Sequence, residues 1–234
     1  HIWGNQVFDP YTDIISTEKV LKNIKESGNP FDQTYQKYVK DRLFALQGEL
    51  NITVDESRRN EISFWLPYYQ GLVESLPMFR LRLPNITFSE RMVIQGSKRH
   101  VEILTFGEGH SKGDAVLYLP QEKIMFMGDL LFIEGHPYMG DGDPDGWMRV
   151  LDKLKEFELD YIVPGHGPVG TNDDIQRLQE YFIYVKEEVQ SAIDSGSGEK
   201  GLADISIPDE YNLWGMSSFF DSNLAFLYKM LSEQ

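Results

Sequence analysis

The chain has 234 residues, of which 41% are hydrophobic and 25% are charged, as in an ordinary globular protein. Its net charge of −15 repels phosphate backbones, so nucleic acid is not an expected partner. No apolar run approaches the roughly 20 residues of a membrane-spanning helix. The absence of cysteine excludes disulfides and thiolate metal sites, and it fits either an oxidising or a reducing compartment.

The first part of the sequence is predicted to be mostly helical. Residues 11–15 have the pattern of a short strand, and a helix capped by Ser16 or Thr17 should follow through Ile24. Residues 31–47 carry apolar side chains three and four positions apart, which predicts a second helix.

A third helix should begin after Asp55, and Pro67 is predicted to kink or stop it. The hydrophobic period then changes to that of strands. Strands are predicted at residues 80–83, 100–106, 115–119 and 124–127. The last two should form a hairpin, and their nearly continuous apolar character is typical of a sheet covered on both faces.

The remainder alternates between the two kinds of element. A helix should begin at Pro144 or Asp145, a short strand should occupy residues 161–163, and Asn172 should cap a long helix. Residues 219–231 predict a final helix. Helices, then strands, then alternation indicate the mixed α/β (α+β) class.

Three glycine-rich patches follow predicted strands, and each contains a possible metal ligand. The ligands are His110, Asp129 and His166, and the patches are residues 109–114, 128–132 and 164–168. If the strands share a sheet and end at the same edge, the three side chains meet there. Imidazole nitrogen and carboxylate oxygen are the ligands that a hydrolytic zinc ion requires. A carboxylate between two histidines can also bridge two ions.

The patches resemble those of the metallo-β-lactamase superfamily. The matching series is Gly-His-Ser-x-Gly-Asp, Phe-Met-Gly-Asp-Leu-Leu-Phe and Val-Pro-Gly-His-Gly-Pro, with Ser111 where the family usually has threonine. The resemblance covers His1 to about Gly170. Residues 223–228 are similar to the C-terminal helix of the SoxH-like or glyoxalase II-like subgroup. The resemblance implies an αββα sandwich and a zinc site.

The start of the chain departs from the family pattern. The signature His-x-His-x-Asp-His should precede the patches, and residues 1–5 resemble the stretch that begins at its last histidine, here His1. The expectation is therefore that two histidines, one aspartate and the first strands of the sandwich are missing before His1. Residues outside this sequence, a clipped protein and a true fragment all remain open. Residues 1–234 are predicted to be one domain with a helical insertion at about 31–76.

The resemblance also assigns ligands. It implies that His110 binds a first zinc ion, that Asp129 bridges, and that His166 and His1 bind a second. One or two Zn²⁺ ions are expected, and iron or manganese stays open. No residue of this sequence corresponds to the family's general-base aspartate, so no catalytic residue is assigned.

Three further residues near the patches have predicted roles. Asp114 should accept backbone hydrogen bonds in the His110 turn, with a second role in orienting His110. His136 and Tyr138 are weak candidates for substrate contact, and a solvated loop is the alternative.

The function implied by the resemblance is that of a zinc-dependent hydrolase. A metal-bound hydroxide would attack an ester-, thioester-, lactone- or β-lactam-like small molecule, or a phosphate or sulfate ester. Two alternatives stay open. One is a non-catalytic scaffold or binding protein with an incomplete metal site, and the other is an iron-dependent relative. The sequence indicates neither the compartment nor the oligomeric state.

Overall fold

The computed structural model describes residues 2–27 and 32–233. The chain forms two compact units, His1–Thr87 and Phe88–Gln234. The elements of the first part are β1 Ile15–Thr17, α1 Glu18–Ser27, α2 Gln33–Ile52, α3 Glu56–Ser75 and β2 Ile86–Phe88. Strands β1 and β2 pair in a two-stranded sheet. The helices α2 and α3 occupy most of the predicted insertion, and a single domain over 1–234 stays a prediction.

The helices of the first unit begin at short polar side chains. Thr17 accepts a hydrogen bond from the backbone N–H of Val20 at 3.1 Å, and Asp32 and Asp55 cap α2 and α3 in the same way. Each cap satisfies an amide that the helix itself leaves without a partner. The predicted caps Thr17 and Asp55 are therefore confirmed.

Two segments of this unit differ from the prediction. The helix α3 does not stop at Pro67 but continues to Ser75, and a kink at Pro67 stays a prediction. Leu72, which lies beyond the proline, packs on Val39 of α2, and this burial offsets the one hydrogen bond that proline removes. Residues 80–83 do not form a strand. The Arg82 guanidinium instead donates to backbone carbonyl oxygens of residues 5–12, and the two shortest of these bonds are 2.6 and 2.7 Å.

The second unit is built on a five-stranded sheet in the order β3-β4-β5-β6-β7. Its elements are β3 Arg91–Gln95, β4 His100–Leu104, β5 Val116–Leu119, β6 Ile124–Phe132, α4 Pro144–Leu154, β7 Tyr161–His166, α5 Asn172–Asp194 and α6 Ser218–Ser232. Strands β3 to β6 pair antiparallel, which confirms the predicted hairpin of β5 and β6. Strand β7 pairs parallel to β6. The cap of α5 is Thr171 rather than Asn172.

One apolar core holds this unit together. It combines buried side chains of β6, α4, α5 and α6, among which the largest fully buried ones include Trp147, Tyr181 and Phe220. A buried apolar side chain of this size contributes about 1.5–3 kcal/mol. The core therefore fixes the helices against the central strands that carry the candidate ligands.

Strand β6 is longer and less regular than the sequence predicts. It does not end at Met127 but continues to Phe132, with shifts of register against β7 on both sides of Gly128. Gly128 has a φ of +53°, a conformation that glycine adopts without steric cost. Asp129 therefore lies inside an irregular stretch of the strand, opposite the end of β7.

Candidate metal centre

His110 lies in the turn between β4 and β5, and a carboxylate inside the turn fixes its shape. Asp114 accepts hydrogen bonds from the backbone N–H groups of Ser111 at 2.8 Å and Gly109 at 3.1 Å. It also accepts one from the Ser111 hydroxyl at 2.7 Å. The predicted structural role of Asp114 is confirmed. The serine that replaces the family's usual threonine therefore keeps a hydroxyl that this turn uses.

The two candidate histidines are held by aromatic rings. The indole of Trp147 stands edge-on to His110, with ring centroids 5.5 Å apart. The indole N–H donates to the carbonyl oxygen of Leu130 at 2.9 Å. Phe132 stacks on His166 with centroids 4.7 Å apart and an angle of 21° between the ring planes. The His110 side chain is 9% exposed, whereas that of His166 is 45% exposed.

The sequence did not single out these two rings as part of the site. The apolar stripe of α4 correctly indicates that Trp147 is buried, but a stripe does not reveal which neighbour a side chain contacts. Phe132 belongs to the glycine-rich patch of residues 128–132. Its position three residues after Asp129 was a sequence signal that could have placed it near the ligands.

Asp129 lies between the two imidazoles. Its Oδ2 is 3.9 Å from Nε2 of His110, and its Oδ1 is 3.5 Å from Nε2 of His166. Each carboxylate oxygen therefore faces a different histidine. The structure brings together the three ligands that the sequence patches suggested.

Glycine at position 165 makes this approach possible. A Cβ built there would lie 2.1 Å from Asp129 Oδ1 and 2.7–2.8 Å from backbone atoms of Gly128 and Asp129. Gly167 combines a φ of +103° with a Cβ position only 1.9 Å from the carbonyl oxygen of Ile133. The glycines on both sides of His166 thus let β7 lie directly against the irregular part of β6.

The three side chains fit part of a metal site. Ligand atoms on one tetrahedral zinc ion, with bonds of 2.0–2.2 Å, lie about 3.3–3.6 Å apart. The spacing between Asp129 and His166 agrees with this value, and that between Asp129 and His110 is slightly wider. In the part of the chain that the structure describes, no group of three or more His, Cys, Asp or Glu is arranged to hold one ion. The donors are thus suited to metal in type, and the Asp129–His166 pair also in distance, but they do not complete a site. His1, the fourth predicted ligand, lies outside the described residues.

His136 and Tyr138 have other surroundings. His136 is completely buried, its Nδ1 is 3.1 Å from the Tyr181 hydroxyl, and its ring packs against Trp214 and Phe220. Burial raises the pKa of the Tyr181 hydroxyl, so the hydroxyl keeps its proton at neutral pH. A direct substrate contact by His136 would require this aromatic cluster to open. The ring of Tyr138 packs on that of Phe219, and its role in substrate contact stays a prediction.

Fold and site together define a mixed α/β protein with a histidine and carboxylate cluster formed by the turn between β4 and β5, by β6 and by the end of β7. A sequence profile described as the metallo-beta-lactamase superfamily matches residues 1–166. The chain belongs to the metallo-beta-lactamase superfamily. The predicted family and fold class are therefore confirmed.

The chain has distant relatives that are named for hydrolytic activities. A metallo-beta-lactamase type 2 from Bacteroides fragilis is 30% identical over 105 residues, which are 43% of this chain and 42% of that protein. This chain thus aligns with less than half the length of that relative. A hydroxyacylglutathione hydrolase from Synechococcus sp. (strain JA-3-3Ab) is 23% identical over 190 residues, 72% of this chain and 74% of that protein.

A solved structure shares the fold. The stereoselective inverting sec-alkylsulfatase from Pseudomonas sp. superposes with a TM-score of 0.52 at 15% identity, covering 65% of this chain and 27% of that one. Within residues 2–27 and 32–233, no helix has the length and apolar character to cross a membrane.

Proposed function

We propose that this chain is a metal-dependent hydrolase of a small ester-, thioester-, lactone- or β-lactam-like substrate, with zinc as the expected metal. The observation that carries the proposal is the position of Asp129, whose two oxygens face the Nε2 atoms of His110 and His166. The relatives named as hydrolases support the same class of reaction.

The proposed metal ligands are His110, Asp129 and His166, with His1 added by its likeness to the family signature. The two oxygens of Asp129 face different histidines, so Asp129 would hold metal together with both of them. When bound, such ions supply Lewis-acid polarisation and lower the pKa of a coordinated water. Iron or manganese could occupy the same donors, because imidazole and carboxylate do not select zinc alone.

The surrounding side chains would keep the ligands in place and limit the access of water. Trp147 and Phe132 cover one side of each imidazole. Asp114 Oδ1 lies 3.8 Å from Nδ1 of His110, too far for a hydrogen bond but close enough to favour the ring orientation that directs Nε2 to Asp129. His166 is the more exposed ligand, so a substrate would approach from its side.

Thioesters are the first substrates to test. The Synechococcus relative, which aligns over 72% of this chain and 74% of its own length, is named a hydroxyacylglutathione hydrolase. In an S-acylated glutathione the acyl group is bonded to sulfur as a thioester. Lactones, β-lactams, and phosphate and sulfate esters follow in the same panel, because the fold alone does not distinguish among them.

The experiment is a metal analysis combined with one substitution. The purified protein, supplied with Zn²⁺, should retain one to two equivalents after dialysis. Asp129→Asn should lose most of this metal, because the amide replaces the anionic oxygens that face both histidines. Hydrolysis of the substrate panel should fall in parallel.

The matched control is Asp160→Asn, the same change at an exposed position at the start of β7. It should leave metal content and hydrolysis unchanged. A wild-type protein that binds no divalent metal would refute the proposal and favour the non-catalytic binding protein. Metal retained in full by Asp129→Asn would refute the ligand assignment.

A further inference from the structure

A buried amide of the last helix holds a loop of the second unit. Asn223 lies on α6 with none of its surface exposed. Its Oδ1 accepts from the backbone N–H of Met139 at 3.0 Å, and its Nδ2 donates to the carbonyl oxygen of Pro137 at 2.7 Å. One side chain therefore satisfies two buried backbone groups that have no solvent to replace it.

The loop that Asn223 holds continues to the turn of His110. The N–H of Gly142 donates to the carbonyl oxygen of Met139 at 3.0 Å, and the N–H of Asp143 donates to that of Gly109 at 2.9 Å. The loop also packs closely against the turn of His110. A Cβ built on Gly142 would lie 2.3 Å from the Gly109 oxygen and 2.9 Å from the His110 oxygen. A displacement of the loop must therefore move the backbone on which His110 is carried.

The start of the same loop has a different anchor. His136 donates its backbone N–H to the carbonyl oxygen of Gly215 at 3.0 Å, and Gly215 donates to that of Glu134 at 2.9 Å. These backbone bonds fix residues 134–136 whatever side chain occupies position 223. Asn223 is thus a side chain of α6 that hydrogen-bonds the next part of the loop, residues 137–143, where the ring of Phe219 also packs on Tyr138.

We propose that Asn223 is a positioning residue for the candidate metal centre: it fixes the loop of residues 137–143, and the loop fixes the turn that presents His110. The proposal rests on the proposed function only where it treats His110 as a ligand. The hydrogen bonds of Asn223, Gly142 and Asp143, joined by the backbone between them, connect Asn223 to Gly109. Residues that hydrogen-bond a metal ligand directly change metal affinity about 10–100-fold when replaced, so Asn223, which acts through the loop, should have an effect at the lower end of that range.

The first test uses the full-length protein without metal. Amide hydrogen exchange is measured by NMR for Gly109 and Asp143, relative to the amides of β5. Asn223→Ala should raise the ratio of the exchange rates of Gly109 and Asp143 to those of β5 at least tenfold. The matched control, Leu224→Ala, removes a buried side chain from the neighbouring position of α6 and should accelerate both groups of amides equally. An unchanged ratio in Asn223→Ala would overturn the proposal.

The second test is a Zn²⁺ titration of a double-mutant cycle. Asn223→Ala should weaken Zn²⁺ binding about tenfold in the wild-type background and have no further effect in His110→Ala. An equal loss in both backgrounds would contradict action through His110. If the wild-type protein binds no Zn²⁺, the proposed function fails, and the exchange ratio still decides the positioning role. If Asn223→Ala does not fold, Asn223→Asp keeps the volume and one acceptor oxygen but removes the donor to Pro137, and it should give the same result.

Discussion

Replacing Gly165 by alanine tests the close approach of β7 to the Asp129 carboxylate. The φ of Gly165 is not in the left-handed region, so alanine can adopt the backbone conformation and its cost comes from contacts alone. The new Cβ would lie 2.1 Å from Asp129 Oδ1 and 2.7 Å from the carbonyl carbon of Gly128. Ordinary contacts of a Cβ begin at 3.4 Å.

Two adjustments are required, and they have different consequences. The carboxylate can rotate away, but its Oδ1 then no longer faces His166 at 3.5 Å. The backbone contacts with β6 can be relieved only if the two strands separate. Overpacking of this kind costs about 1–3 kcal/mol, which lowers the unfolding midpoint by about 2–4 °C per kcal/mol in a protein of this size. Zn²⁺ affinity should fall about 10–100-fold because a displaced ligand is lost.

Thermal and denaturant unfolding measure the loss of stability, and a Zn²⁺ titration of the folded variant measures the loss of affinity. Gly196→Ala is the control, since Gly196 has a φ of +71° and no heavy atom within 4 Å of its Cβ position. It should lose about 1–2 kcal/mol through backbone strain and keep its Zn²⁺ affinity. A Gly165→Ala protein with wild-type stability and affinity would refute the inferred contact between the strands.

Two further predictions concern the first unit. Gly48 and Gly71 lie within α2 and α3 with nothing within 4 Å of their Cβ positions, so alanine at each should stabilise the unit by about 0.5–1 kcal/mol; thermal unfolding that moves downward would contradict this. The Arg58 guanidinium hydrogen-bonded to Glu49 lowers the pKa of that carboxyl from 4.5. The stabilisation is therefore present above about pH 4.5 and is lost as the pH falls through the lowered value. Arg58→Met should lose stability at pH 7, and its difference from the wild type should shrink as the pH falls below 4.5 in a series of melts. A constant difference across the series would exclude this linkage.

The sequence predicted those elements whose own residues determine them. The caps Thr17 and Asp55 act on amides three positions away, and apolar spacing marks α4, α5 and α6, so these are local signals. Strand β3 was not predicted because it is an edge strand whose side chains are mostly exposed, which removes the alternation that marks a half-buried strand. The continuation of α3 past Pro67 has a tertiary origin, since the packing of α3 on α2 is not visible in the local sequence.

The candidate ligands could be predicted from the sequence, but the side chains that hold them in position could not. Glycine-rich patches and their family resemblance indicated His110, Asp129 and His166, and the structure brings these three together. The contribution of Asn223 depends on contacts 84 and 86 residues away along the chain. No local pattern encodes such a contact. His136 shows the opposite: it lies close to a patch in the sequence, but its side chain is buried in the aromatic cluster of Tyr181, Trp214 and Phe220.

The late position of Asn223 has a consequence for the newly made protein. Its partners Met139 and Pro137 are translated 84 and 86 residues earlier. At about 5–20 residues per second, they wait roughly 4–17 seconds for α6 to be synthesised. Once His166 has been made, a ribosome-bound chain contains His110, Asp129 and His166 while the loop beside His110 still lacks the hydrogen bonds of Asn223. A pause in translation before residue 223 would prolong the exposure of this loop to chaperones and proteases.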